Sequence, residues 1–139
     1  MEVWGITNCE PKYEKATLVN PSAYGPDYLK AVTPSTTSDE LRDLAKSNDK
    51  IVRSRVAEHS NTPEDVLRDL FAEFPEVVAE NPSAPEDVLR KAARSTSTEL
   101  RVAAAVNCST PLDELVKLFD DADEIVREEV KENFAERNK

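Results

Sequence analysis

Three observations predict an all-α chain built as an array of one small helical unit. The segment Asn81-Pro82-Ser83-Ala84-Pro85-Glu86-Asp87-Val88-Leu89 recurs in degraded form along most of the chain. Leu41, Leu67, Leu89 and Leu115 stand 26, 22 and 26 residues apart. Each is followed three and four residues later by Leu44 and Ala45, Leu70 and Phe71, Ala92 and Ala93, or Leu118 and Phe119, which is the spacing of one helical face. Only two glycines in 139 residues, with few clustered strand formers, argue against a sheet. Periods of this length indicate a solenoid, in which no unit buries its apolar face alone and neighbours supply each other's core.

Taken in order, the first unit opens at Thr36-Thr37-Ser38-Asp39, places its first helix on Leu41, and carries a second apolar stripe on Val52 and Val56 before closing on His59. The second opens at Thr62-Pro63-Glu64-Asp65 and has lost four residues between Phe71 and Val77. That is close to one helical turn, so facing directions survive, and Pro75 is expected to start its second helix. The third opens at Ala84-Pro85-Glu86-Asp87, repeats the stripe on Leu100 and Ala104, and closes on Asn107; the fourth runs from Thr110-Pro111-Leu112-Asp113 through Val126 and Val130 to Asn133. Thr62 and Thr110 read as N-cap hydroxyls before a proline at the first helical position, with acids in the first turn where the helix dipole favours them. The closing asparagines suit a C-cap, because asparagine tolerates left-handed backbone better than other residues with a side chain. Each buried Leu→Ala change among the anchors is expected to cost roughly 2 to 5 kcal/mol.

The run Val52-Arg53-Ser54-Arg55-Val56-Ala57-Glu58-His59-Ser60-Asn61-Thr62-Pro63-Glu64-Asp65-Val66-Leu67, matched again from Leu100-Arg101 through Asn107-Cys108-Ser109-Thr110-Pro111, resembles the bacterial leucine-rich repeat variant. The resemblance covers residues 36 to 134 and extends in weaker form to Asn20-Pro21-Ser22-Ala23, with Tyr24-Gly25 as an insertion before Pro26-Asp27-Tyr28-Leu29. It implies a right-handed superhelix of short α-helices alternating with 3-10 or short α-helices, from a bacterium or a bacterial virus. The described member of that family carries an iron-sulfur centre on an N-terminal cysteine cluster. This chain has two cysteines against the four usually needed, so no cofactor is expected.

On this reading residues 1-35 are an irregular N-terminal cap with a possible degenerate repeat, residues 36-134 hold about four repeats, and 135-139 are a polar tail. Trp4, Tyr13, Tyr24 and Tyr28 read as aromatics covering the end of the first full repeat, the alternative being a recognition patch. No run of about eighteen apolar residues is present, and the first residues lack the basic start and apolar core of a signal peptide, so a cytoplasmic protein is expected. Cys9 and Cys108 make no metal or redox spacing and read as two reduced thiols.

The net charge of −10 lies mainly towards the C-terminus, where residues 110 to 139 carry ten acids against five bases. Such a chain is repelled by phosphate backbones and anionic lipid, so a protein partner, preferably basic, is expected instead of nucleic acid or membrane. The candidate partner-binding residues are Asp120, Asp121, Asp123 and Glu124 on the acidic ridge and the stacked arginines Arg53, Arg101 and Arg127. The competing reading of the acids is a polar end face that keeps an open array soluble and monomeric. For the arginines, including Arg42, Arg68 and Arg90, it is bridging to acids of the adjacent repeat, where exposed pairs contribute little. His59, the one histidine, shares the asparagine column and reads as a structural residue; no catalytic or metal-binding motif is present. The expected function is therefore a non-catalytic interaction module, the alternative being an acidic mimic of nucleic acid that blocks a basic, DNA-binding protein.

Overall fold

The computed structural model describes residues 25–138. Among them are nine α-helices and no strand: α1 (Pro26–Val32), α2 (Ser38–Leu44), α3 (Lys50–Glu58), α4 (Glu64–Phe71), α5 (Pro75–Glu80), α6 (Glu86–Ala93), α7 (Thr98–Val106), α8 (Leu112–Leu118) and α9 (Glu124–Arg137). Both positions of each repeat are α-helical among these residues, so the 3-10 segments implied by the resemblance do not occur there. No helix among the described residues is long and apolar enough to cross a membrane.

The helices divide into two roles. The second helices pack consecutively, α1 on α3, α3 on α5, α5 on α7 and α7 on α9, while the first helices α2, α4, α6 and α8 each pack on the second helix of their own repeat. Residue size explains the close second-helix contacts. Val56, Val78, Ala104 and Val130 form one fully buried column, and Ala57, Ala79 and Ala105 beside it are equally buried and small enough to let neighbouring backbones approach. The four anchor leucines are all fully buried. The buried apolar residues are not one uninterrupted cluster: they divide into two, one holding Leu41 and Leu67 and the other Leu115, both packed against Phe71.

Several local expectations are corrected. The hydroxyls of Thr62 and Thr110 do not cap the following helix. They donate backwards to the carbonyls of Val56 and Ala104 at 2.6 Å, fastening the turn, and the N-cap positions of α4, α6 and α8 are held by Pro63, Pro85 and Pro111. Among the described helices only α2 has a full capping box, Thr37 with Glu40. The closing asparagines are not left-handed: Asn81 and Asn107 have φ of −72° and −76°, and no residue except Gly25 has positive φ among the described residues. Pro75 does start α5, as expected.

At the N-terminal end the expected register fails. The alignment of Pro26-Asp27-Tyr28-Leu29 with a first helix requires a buried Leu29, yet Leu29 is 40% exposed and Tyr28 is buried. Thr36 Oγ1 reaches the Lys30 carbonyl as Thr62 reaches Val56, six residues back in each case. The helix α1 is therefore the second helix of a preceding unit. Trp4, Tyr13, Tyr24 and Cys9 lie outside the described residues. Cys108 is not a reduced thiol but is disulfide-bonded, a state that separation along the chain could not have revealed. The boundary expected at residue 134 falls inside α9, which continues to Arg137.

Candidate protein-interaction surface

Every repeat is tied to its neighbour by polar columns as well as by apolar ones. Asn81 Nδ2 donates to the carbonyls of Ala57 and His59 at 2.8 and 2.9 Å; Asn107 does the same to Ala79 and Asn81 at 2.6 and 2.9 Å, and Asn133 to Ala105 and Asn107 at 2.8 and 2.9 Å. The carbonyls of Ala57, Ala79 and Ala105, at the C-terminal end of the second helix, are satisfied in this way from one repeat away, while those of His59, Asn81 and Asn107 also accept from the turn amides of Thr62, Ala84 and Thr110. His59 occupies the same column by the same means. Its Nδ1 accepts from the Asn61 amide at 3.0 Å, which puts the ring proton on Nε2, 2.8 Å from the Thr33 carbonyl. A side chain held at both ring nitrogens in a backbone ladder is structural.

The turns stack in the same manner. Ser83 and Ser109 hydroxyls donate at 2.6 Å to the carbonyls of Ser60 and Pro82, and Asn61 Nδ2 reaches those of Pro34 and Thr36. After Asn133 the chain makes no turn of this kind among the described residues, because α9 runs on to Arg137. Arg137 takes that place, donating from Nη2 to the carbonyls of Cys108 and Thr110 at 2.6 and 2.8 Å. Burial lowers the pKa of this guanidinium without threatening its charge.

The arginines predicted as partner contacts are occupied within the protein. Arg53, Arg101 and Arg127 each donate from Nη1 to a carbonyl six residues earlier, on Ser47, Ser95 and Asp121. Arg53 and Arg101 also bridge forward to the next repeat, to Glu73 and Asp121. Pro75 stands in this column in the short repeat, where the shortened loop leaves no corresponding carbonyl to cover. The second arginine ladder lies on the first helices: Arg42 pairs with Asp65, Arg68 with Asp87 and Arg90 with Asp113, each across one repeat boundary. These pairs lower the pKa values of Asp65, Asp87 and Asp113 and raise those of the arginines. The open groove between α4 and α6, about 470 Å³, is lined by Glu64, Arg68, Glu86, Asp87 and Arg90 and is a by-product of the ladder.

The acidic ridge divides in two. Asp121 Oδ1 accepts from the Asp123 amide at 2.9 Å, the position in which Ser47 and Ser95 hydroxyls accept from Asp49 and Ser97. Asp123 in turn caps α9 through the Ile125 amide, as Asp49 caps α3 and Ser97 caps α7. Burial raises the Asp121 pKa, but the Asp123 amide and Arg101 outweigh it and hold the carboxyl below its ordinary range. Of the four acids, Asp120 and Glu124 alone are exposed. The recurring Ser-x-Asp, Ser-x-Ser and Asp-x-Asp before the second helices carried this assignment in the sequence.

Sequence reasoning also missed Glu114. It sits one residue before the anchor, where Val66 and Val88 are buried, and is itself 1% exposed. Arg90 and Arg94 reach its Oε2 at 3.0 and 2.5 Å. Burial pushes its pKa up, and the two guanidinium groups more than reverse that.

Compared with known proteins, the chain matches no family model, no curated protein and no solved structure.

Proposed function

We propose that the repeats wind as a right-handed solenoid of the leucine-rich repeat variant kind and that the protein is a non-catalytic interaction module, docking one basic protein partner by shape. The supporting observation is the saturation of the repeat-to-repeat columns. Asn81, Asn107, Asn133 and His59 and both arginine ladders spend their polar groups holding neighbouring repeats in fixed register. What such a construction provides is a rigid, extended surface, which lowers the ordering cost of association. The net charge of −10 favours a basic partner. The mimicry alternative has less support, since two of its four acids, Asp121 and Asp123, bond inward.

The test is affinity capture from the source cell at low and at high salt, identification of the captured protein, and reassembly of the complex from the two purified chains. A stoichiometric complex that leaves both chains chemically unchanged is expected. Turnover or covalent change of the captured protein, or failure of the purified pair to assemble, would overturn the reading.

A further inference from the structure

The first helix of the last repeat breaks the outer ladder. One residue after the anchor the column reads Arg42, Arg68, Arg90 and then Val116; three residues before the anchor it reads Ser38, Glu64, Glu86 and then Leu112. Leu112 and Val116 are 53% and 54% exposed, one turn apart on α8. Helical hydrogen bonding continues beyond them, Phe119 to Val116 and Asp120 to Lys117, so exposed Asp120 prolongs the same face. The side chains of Asp120 and of Glu124, at the head of α9, are exposed and unpaired among the described residues.

We propose that this face, Leu112 and Val116 flanked by Asp120 and Glu124, docks a basic amphipathic helix of a partner protein; this deepens the interaction-module reading and rests on it. Position and charge identify the occupant. Within the array, the residue after the anchor faces the next repeat, which presents an aspartate to it: Arg42 meets Asp65, Arg68 meets Asp87 and Arg90 meets Asp113. A second copy would carry the same unpaired acids to the face and no excess of cations to meet them. Two chains of net charge −10 also repel. A basic amphipathic helix avoids both costs: its apolar side chains cover the exposed Leu112 and Val116, and its lysines or arginines meet Asp120 and Glu124.

The probe is a synthetic peptide of about 18 residues made of leucine and lysine, with the leucines on one helical face. Its controls are a scrambled peptide of the same composition and a version with glutamate for lysine. Methyl NMR on the full chain is expected to show saturable shifts at Leu112 and Val116 with the amphipathic lysine peptide alone. The double variant Leu112→Glu with Val116→Arg, which installs the interior rung at exposed positions, is expected to keep the fold and weaken binding by about tenfold or more. Equal binding of the scrambled peptide would overturn the proposal in favour of charge attraction alone. Self-association abolished by the double variant would overturn it in favour of a second copy. Binding that leaves the Leu112 and Val116 methyls unmoved would overturn this face while leaving the interaction-module reading standing, which fails only in the capture and reassembly test.

Discussion

The interior of the array and its C-terminal end are built from the same columns, but they use them differently. Inside, Asn107 both gives to the repeat before it, at Ala79 and Asn81, and receives from the repeat after it, where Asn133 donates to its carbonyl. At the end, Asn133 still gives, but Arg137 replaces the turn that would have followed, and Val116 replaces the arginine that would have bridged onward. The difference teaches that each column is a pairwise device. Where buried carbonyls would be stranded, the end supplies a substitute; where the missing interaction is an exposed ion pair, it supplies none and the position is free for another use.

The largest expected effect comes from the apolar seam. Leu89→Ala should destabilise by about 2 to 5 kcal/mol in urea unfolding, and Leu115→Ala by less, because the third repeat has a neighbour on both sides and the fourth on one. Equal losses would break the claim that the end is energetically peripheral. Next comes the asparagine column. Asn107→Ala strands the Ala79 carbonyl, leaves the Asn81 carbonyl with the Ala84 amide alone and removes the acceptor for the Ser109 amide, and a stranded group costs about 1 to 3 kcal/mol. A loss of about 3 kcal/mol is expected there, with about 1 to 2 kcal/mol for Asn133→Ala, which strands the Ala105 carbonyl alone because that of Asn107 keeps the Thr110 amide. Arg137→Met should cost about 1 to 2 kcal/mol, and hydrogen exchange should rise first in the turn from Cys108 to Thr110, whose carbonyls it covers. Uniform exchange along the chain would show that Arg137 is not the terminal lock.

Much of this was legible from one line of residues. The anchor leucines, the four units, the second-helix start at Pro75 and the possibility that arginines bridge repeats all follow from coincidence of columns. What a column does not state is the direction in which its side chains point. Asparagines at the close of a helix fit a cap equally well as a ladder, and only the approach of the preceding second helix shows that Nδ2 reaches across the boundary. Asp121 and Asp123 were grouped with Asp120 and Glu124 because they adjoin in sequence, whereas the turn geometry makes them counterparts of Ser47 and Asp49. α1 was assigned to the wrong role because Asn20-Pro21-Ser22-Ala23 echoes a true turn, while its contact with α3 is what decides.

Glu114 allows the smallest and most specific test of the comparison, because it is a buried glutamate at a position that is valine in the two interior repeats and an exposed glutamate, Glu40, in the first. Its pKa is held below the ordinary 4.5 in the folded protein, so its contribution to stability is present above that value and is lost as pH falls through the depressed one. Asp65, Asp87 and Asp113, ordinarily near 3.8 and likewise lowered, contribute in the same direction from the outer ladder. Replacing Glu114 by valine removes one titrating group and leaves the others. Arg94 is more than half exposed and Arg90 keeps Asp113 and Glu86, so neither cation is left buried alone. Glu114→Val should therefore stay within about 1 kcal/mol of the parent at neutral pH and lose less stability on acidification below pH 4.5, read from urea midpoints across the acid range. Superimposable acid profiles would mean that Glu114 titrates alike in folded and unfolded chains, and the last seam would then differ from the interior ones in residue type without differing in energetics.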